Sequence, residues 1–356
     1  MHIGIDGYPL TKEKTGVGHY TLELTQALAS ISPADRFELV YPTSERGWWA
    51  FGLPRYCKRA ALDLFHGTNF AVPVWGSCPS VLTIHDLSLL LYPETHEAQL
   101  VRRARRNLPL MVRRASLVIT PCEAVKREVH EVLKVAMERI VAIPEAARKS
   151  FQPVSLAETA AVRERLGVAD EFILFVGTIE PRKNLVNLLR AVEELFTTTD
   201  LRPQLVVVGG EGWLSGELNS FLNGMRLKER VVFTGYLEDA DLRALYSACR
   251  VFVYPSLYEG FGLPLLEAMA CGAPIVTSNV ASIVETVGNV ARLISSTDVS
   301  DLAQAIAQLL RDDGEREKRS AAGIKHAQQF SWEKTAAATL EVYQAAISRK
   351  RSRSAS

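Results

Sequence analysis

The sequence is short of the features that mark several protein classes. Its five cysteines, Cys57, Cys78, Cys122, Cys249 and Cys271, are odd in number and show no CxxC spacing. That argues against a disulfide framework or a zinc site and fits a reducing cytosol. There is no HExxH and no cluster of His or Cys, so neither a metal nor a cofactor is expected. Long hydrophobic runs are missing: the longest, such as FILFVG, fall far short of the roughly 20 residues that a spanning helix requires. The opening MHIGIDGYPL lacks the basic start, apolar core and small-residue cleavage site of a signal peptide. A cytoplasmic protein is expected, with any membrane contact peripheral at the inner face. Excess charge of one sign is lacking too: 41 Lys and Arg stand against 40 Asp and Glu, which argues against nucleic acid as a partner.

What is present is a globular composition, 47% hydrophobic and 23% charged, over 356 residues. That length exceeds one comfortable core and suits two domains with a cleft. Short apolar, β-branched runs recur: HIGID, FELVYP, LDLFHG, VLTIHD, SLVITP and IVAIPE before residue 150, then FILFVG, QLVVVGG, RVVFTG, RVFVYP, PIVTSN and ARLI after it. Unalternating runs joined by helix-period sequence read as parallel strands buried on both faces by crossover helices. The predicted fold is therefore α/β, with two Rossmann-like, doubly wound parallel-sheet domains over 1–165 and 166–330. The boundary is placed in FQPVSLAETAAVRERLG, where a Pro precedes an exposed helix pattern. A C-terminal helix over 331–347 is expected to pack back toward the first domain, and the basic, serine-rich 348–356 to be disordered.

Ligands of such sheets bind outside the carboxyl ends of the strands, so the residues just after each run carry the information. FVGTIEPRKNLVNLL sets Arg182 and Lys183 between a strand end and a helix start, where free N–H groups, the helix dipole and two cations suit a phosphate or diphosphate. A solvated loop with an Asn cap is the plainer reading of the same residues. In YPSLYEGFGLPLLEAMACGAPIV, Glu259 follows a strand, Gly260 and Gly262 allow close backbone approach, Pro264 opens a helix and Glu267 lies in its first turns. Both carboxylates could accept hydrogen bonds from sugar hydroxyls, or serve as loop and helix-dipole charges. Gly16 and Gly18 in TGVGHY precede a helix pattern, and Thr21 replaces the third glycine of a dinucleotide fingerprint. His85 and Asp86 follow the strand VLTI. Asp239 and Asp241 read as capping and first-turn acids rather than metal ligands. Six arginines in RRARRNLPLMVRR, residues 102–114, read as a solvated face or as a surface for anionic lipid.

The combination resembles the retaining glycosyltransferases of family 4, with the two-domain GT-B fold, along nearly the whole chain. GTIEPRKNL and YPSLYEGFGLPLLEAMACGAPIV carry the likeness. The resemblance implies a nucleotide-sugar donor and a glycan or lipid-linked acceptor. It implies that Lys183 and Arg182 hold the diphosphate, that Glu259 with the backbone of Phe261, Gly262 and Leu263 holds the transferred sugar, and that Glu267 holds the ribose. His85 matches a histidine near the reacting centre, and Gly16 and Gly18 match a loop closing over the diphosphate. The style of HDLSLLLYPE and GTIEPRKN is similar to bacterial mannosyltransferases of surface-polysaccharide assembly, which makes GDP-mannose the first expectation, with UDP-hexoses and dTDP-rhamnose open. The family's usual PNG turn is here PEA, Pro144 to Ala146, and many members carry an arginine where Thr178 stands. Alternatives are a GT-B epimerase or phosphorylase, and a non-catalytic sugar-nucleotide-binding partner of an assembly complex.

Overall fold

All twelve apolar runs are strands. In the computed structural model, which describes every residue except 12–15, 44–46, 77, 211, 213–217, 219–220, 223–227 and 356, together with the side chains of 351–355, they form two sheets. The first contains β1 (His2–Asp6), β2 (Arg36–Val40), β3 (Leu64–Gly67), β4 (Ser80–Thr83), β5 (Leu117–Thr120) and β6 (Ile140–Ala142), in the order β2-β1-β3-β4-β5-β6. The second contains β7 (Phe172–Val176), β8 (Gln204–Val208), β9 (Val231–Gly235), β10 (Val251–Tyr254), β11 (Ile275–Ser278) and β12 (Arg292–Ile294), in the order β12-β11-β10-β7-β8-β9. Every pairing is parallel. The physical cause is visible in β7, where all five residues of FILFV are buried. Only a strand covered by helices on both faces tolerates such a run.

The chain divides into two compact units, Met1–Leu91 with Ala98–Ala146 and Phe330–Ser356, and Tyr92–Glu97 with Ala147–Gln329. The division at 146/147 lies upstream of the expected boundary near 165. The exposed helix pattern expected there is the helix Leu156–Leu166, closed at one end by a Ser155/Glu158 capping box and at the other by Gly167 in the left-handed conformation. Those caps make it a regular element of the second unit.

The first unit's core joins Ile3, Ile5, Leu64 and Val81 of the sheet to Leu24 of the helix Gly16–Ile31 and to Trp332 and Tyr343 of the C-terminal helix Trp332–Ala355. Thr335 Oγ1 donates to the carbonyl of Pro144 at 2.7 Å, and Tyr343 Oη meets His66 Nδ1 at 2.7 Å. The helix continues to Ala355, over most of the stretch expected from the sequence to be a disordered tail from 348. Arg, Lys, Ser and Ala carry no helix breaker among them, and Arg349 donates to the carbonyl of Glu138 at 3.0 Å. The second unit's core packs Leu188, Leu189 and Val192 of the helix Leu185–Thr198, and Leu302 and Ile306 of Val299–Arg311, on β7, β8 and β10.

Each sheet reverses its winding once. In the second, β7 lies between β8 and β10, so chain leaving β7 goes to one side and chain arriving at β10 comes from the other. In the first, the reversal falls between β1 and β3. A crevice outside the carboxyl ends at such a point is the ligand position of open α/β sheets.

Candidate active site

The carboxyl ends of β7 and β10 bring the two expected cations onto one expected carboxylate. After β7 the chain turns through a 3-10 helix, Pro181–Lys183, and Asn184 adopts a left-handed φ of 61°. Asn184 Nδ2 then donates to the carbonyls of Pro255 (3.0 Å) and Ser296 (2.7 Å), pinning the turn to the loops after β10 and β12. Lys183 Nζ donates to Glu259 Oε1 at 2.5 Å and to Tyr254 Oη at 2.6 Å, and Tyr254 donates to the same carboxylate oxygen at 2.9 Å. Arg182 Nη1 donates to Glu259 Oε2 at 3.2 Å and to the Tyr258 carbonyl at 2.9 Å. Its Nη2 donates to Glu180 Oε1 at 2.6 Å.

Burial pushes the Glu259 carboxyl up, but Lys183 and Arg182 outweigh it and hold the group down at about 2. Glu259 is therefore a permanent anion, and the site holds two cations against two carboxylates. The loop that carries Glu259 is fixed from the next helix, Ala281–Val287. Ser282 donates to the Glu259 carbonyl and Thr286 to the Phe261 carbonyl at 2.7 Å. Phe261 is buried. Gly262 sits at φ 89°, a conformation that a side chain strains, immediately before the helix Leu263–Ala270. That geometry leaves Leu263 and its neighbours as first-turn N–H groups.

Glu267, on the same helix, does not share the Lys183 cluster. It faces Arg148, whose Nε and Nη2 lie 2.9 and 2.7 Å from Glu267 Oε1 and whose Nη1 donates to Asp239. Arg148 is buried over the Phe151 ring at 4.3 Å. Burial opposes its charge, yet the two carboxylates hold its protonation above the ordinary arginine value. Asp239 and Asp241 both lie in the first turn of Asp239–Ala248, while Glu238 takes the capping position. Asp239 is thus an ion-pair partner rather than a cap. No group of three or more potential metal ligands occurs among the described residues.

In the first unit the carboxyl ends of β1, β3 and β4 bring His85 to the start of Gly16–Ile31. Gly16 and Gly18 lie inside this helix, in its first turn, not in a loop before it, and residues 12–15 of that stretch lie outside the described residues. Thr21, at the place of the missing third glycine, is buried and donates to Thr68 Oγ1 at 2.9 Å. Tyr20 stands edge-on to the His85 ring with centroids 4.7 Å apart. The His85 Nδ1 lies 2.9 Å from Glu145 Oε1, and Nε2 lies 2.9 Å from the Thr68 carbonyl oxygen. At the end of β1, Asp6 Oδ1 accepts from the Tyr8 N–H at 3.0 Å, while Oδ2 is buried with no partner among the described residues.

Glu145, Arg148, Glu180 and Tyr254 escaped the sequence reading. Glu145 had a signal, since it occupies the altered PNG turn, and Tyr254 closes an apolar strand at the site. Arg148 and Glu180 had none beyond proximity to a motif.

The two halves of the chain match separate family models, one described as Glycosyltransferase Family 4 over residues 15–147 and one as Glycosyl transferases group 1 over residues 158–326. An Escherichia coli protein named O-antigen chain mannosyltransferase B is 37% identical over 372 residues, covering 94% of this chain and 96% of that protein. The chain belongs to glycosyltransferase family 4. A Mycolicibacterium hassiacum protein, MMP alpha-(1->4)-mannosyltransferase, is 31% identical over 82% of this glycosyltransferase and 72% of the relative. Among solved structures, Anabaena HepE in complex with UDP-glucose superposes with a TM-score of 0.78 at 21% identity, covering 97% of this chain and all of that one. WaaG, described as a glycosyltransferase involved in lipopolysaccharide biosynthesis, gives a TM-score of 0.75 at 15% identity over 96% and 99% of the two chains. The glycosyltransferase has the GT-B fold. No helix among its described residues is long and apolar enough to cross a membrane.

Proposed function

We propose that this glycosyltransferase is a retaining mannosyltransferase that moves mannose from GDP-mannose to a glycan or lipid-linked glycan acceptor in surface-polysaccharide assembly. The observation that carries the reading is the convergence of Lys183 and Arg182 on the buried Glu259 at the winding reversal of the second sheet. The E. coli relative's printed name supplies the sugar.

Cleavage of a sugar–phosphate bond builds negative charge on the leaving diphosphate and oxocarbenium character on the sugar. Lys183, Arg182 and the N-terminus of Leu185–Thr198 stabilise the first. In this reading the arriving diphosphate replaces Glu259 as partner of Lys183, and the freed carboxylate accepts hydrogen bonds from sugar hydroxyls. The N–H groups around Phe261, Gly262 and Leu263 assist it, and Glu267 takes the ribose hydroxyls. From the first unit, His85 is assigned to the reacting sugar, and Gly16 and Gly18 to backbone contact with the diphosphate. On the same-face route the bond between the anomeric carbon and the phosphate oxygen breaks, the acceptor oxygen bonds to that carbon, and the departing phosphate oxygen takes the acceptor hydroxyl's proton, so no protein nucleophile is used. Side chains supply the positive charge, and turnover is expected to survive EDTA.

Calorimetric titration with GDP, UDP and dTDP, with and without magnesium, tests the donor site. GDP is expected to bind selectively and Lys183→Ala to weaken it. Binding of none of the three would overturn the donor site, and an inverted anomer in the NMR spectrum of the product would overturn retention.

A further inference from the structure

A hydrogen-bond acceptor faces each ring nitrogen of His85. The Thr68 carbonyl can only accept, so Nε2 at 2.9 Å carries a proton; the Glu145 carboxylate at 2.9 Å is satisfied when Nδ1 carries one as well. Among the described residues no other hydrogen-bond partner of those nitrogens is found: the Tyr20 hydroxyl is turned to Thr83 at 3.1 Å, and the Phe70 ring stands 6.5 Å away, edge-on. The geometry points to a His85 that serves glycosyl transfer as a fixed imidazolium, with Glu145 as the positioning residue that keeps it charged and aimed.

The charges around the ring agree in sign. Glu145 is buried beside it and Asp86 adjoins it in the chain, and both favour the cation. His66 on β3, a basic neighbour that could repel it, is driven by burial, and then by His85 itself, down to about 3 and stays neutral. Burial of His85 opposes its charge, but Glu145, with the Thr68 carbonyl and Asp86 adding to it, outweighs burial and raises the ring above its ordinary imidazole value. A ring with both N–H groups engaged cannot take a proton from an acceptor hydroxyl. Its contribution is positive charge at the reacting centre, which rests on the placement of His85 proposed above.

Histidine-selective isotope labelling makes the ring visible by NMR, beside pH profiles of kcat and donor KM for the wild type, Glu145→Gln and Glu145→Asp. The wild-type ring is expected to be protonated at pH 7, and Glu145→Gln to bring its titration down. At pH 8 kcat of Glu145→Gln should then fall about tenfold, as loss of one pH unit of protonation would give, with KM unchanged. Glu145→Asp keeps the charge and should restore most of the rate. A purely structural Glu145 would lower Tm in both variants and leave the His85 titration in place. A ring neutral at pH 7 in the wild type, or a titration identical in Glu145→Gln, overturns the inference. Normal titration with no transfer from any donor by the wild type instead sinks the mannosyltransferase reading and, with it, the imidazolium's part in transfer.

Discussion

Removing the Lys183 ammonium leaves a buried carboxylate short of positive charge. The Lys183 and Glu259 side chains are only 11% and 8% exposed, with Nζ 2.5 Å from Oε1. Truncating one partner of a buried pair costs about 3–5 kcal/mol. Arg182 still donates to Oε2 at 3.2 Å and Tyr254 to Oε1 at 2.9 Å, so Lys183→Ala belongs at the lower end. Roughly 3 kcal/mol in a unit of this size is a fall in Tm of about 6–12 °C. In transfer the same substitution strips a preorganised cation from the leaving diphosphate, and kcat is expected to drop by roughly 10²–10³. Glu259→Gln in the Lys183→Ala background removes the stranded charge and should recover most of the lost Tm but none of the activity. Scanning calorimetry on the wild type, both single variants and the double variant closes a double-mutant cycle. Zero coupling, or a double variant less stable than Lys183→Ala, refutes the ion-pair account. A fully active Lys183→Ala refutes the leaving-group role.

Asp6 runs in the opposite direction, because burial pushes its carboxyl up to about 7 and only the Tyr8 N–H pulls it back. Its contribution to stability is complete below the unfolded-state value of about 4 and is lost as pH rises through 7. Asp6→Asn should therefore raise Tm at pH 8 and flatten the decline from acid to alkaline pH, and urea midpoints that respond to pH identically in both proteins would count against this. Arg148→Ala frees Glu267 and is expected to weaken GDP binding roughly tenfold, the worth of one charge-assisted hydrogen bond. Arg148→Lys should not restore it, since the two-nitrogen contact needs a planar guanidinium, and equal losses for GDP and 2′-deoxy-GDP would deny that Glu267 reads the ribose. The helix Ala98–Arg114 turns Val101, Leu108, Met111 and Val112 inward and carries six arginines, and flotation with anionic vesicles but not neutral ones is expected. Equal behaviour with both would dispose of lipid contact.

The sheets were legible because a strand covered on both faces must be apolar at successive positions, and FILFV or VFVY admits no other use in a chain this rich in turns. Element ends were less so. The division at 146/147 is set by which unit Leu156–Leu166 packs upon, a tertiary fact that its even, weakly amphipathic sequence does not display. Nor does anything in Tyr92–Glu97 announce that it leaves the first unit, where its flanks lie, for the second; Tyr92 meets the Tyr258 ring there at 4.9 Å.

The site was half legible for a different reason. Motifs locate residues at strand ends, but pairing is decided across long separations: His85 and Glu145 are 60 residues apart, Lys183 and Glu259 76, Arg148 and Glu267 119. Taken singly, each has an ordinary local use, as a cap, a dipole charge or a solvated loop residue. Burial removes that ambiguity, since a charge at a few per cent exposure persists only beside its opposite. Strand order then selects the opposite for some of them: once β7 and β10 are neighbours, the chain just after Val176 must meet the chain just after Tyr254, and Lys183 and Glu259 follow. Arg148 lies on no strand, and adjacency in the sheet cannot find it. Its partner is fixed by where Leu263–Ala270 and Asp239–Ala248 start, each presenting one carboxylate to the same guanidinium. Two glutamates eight positions apart on one short stretch thus serve different cations, because the first precedes its helix and the second lies within it.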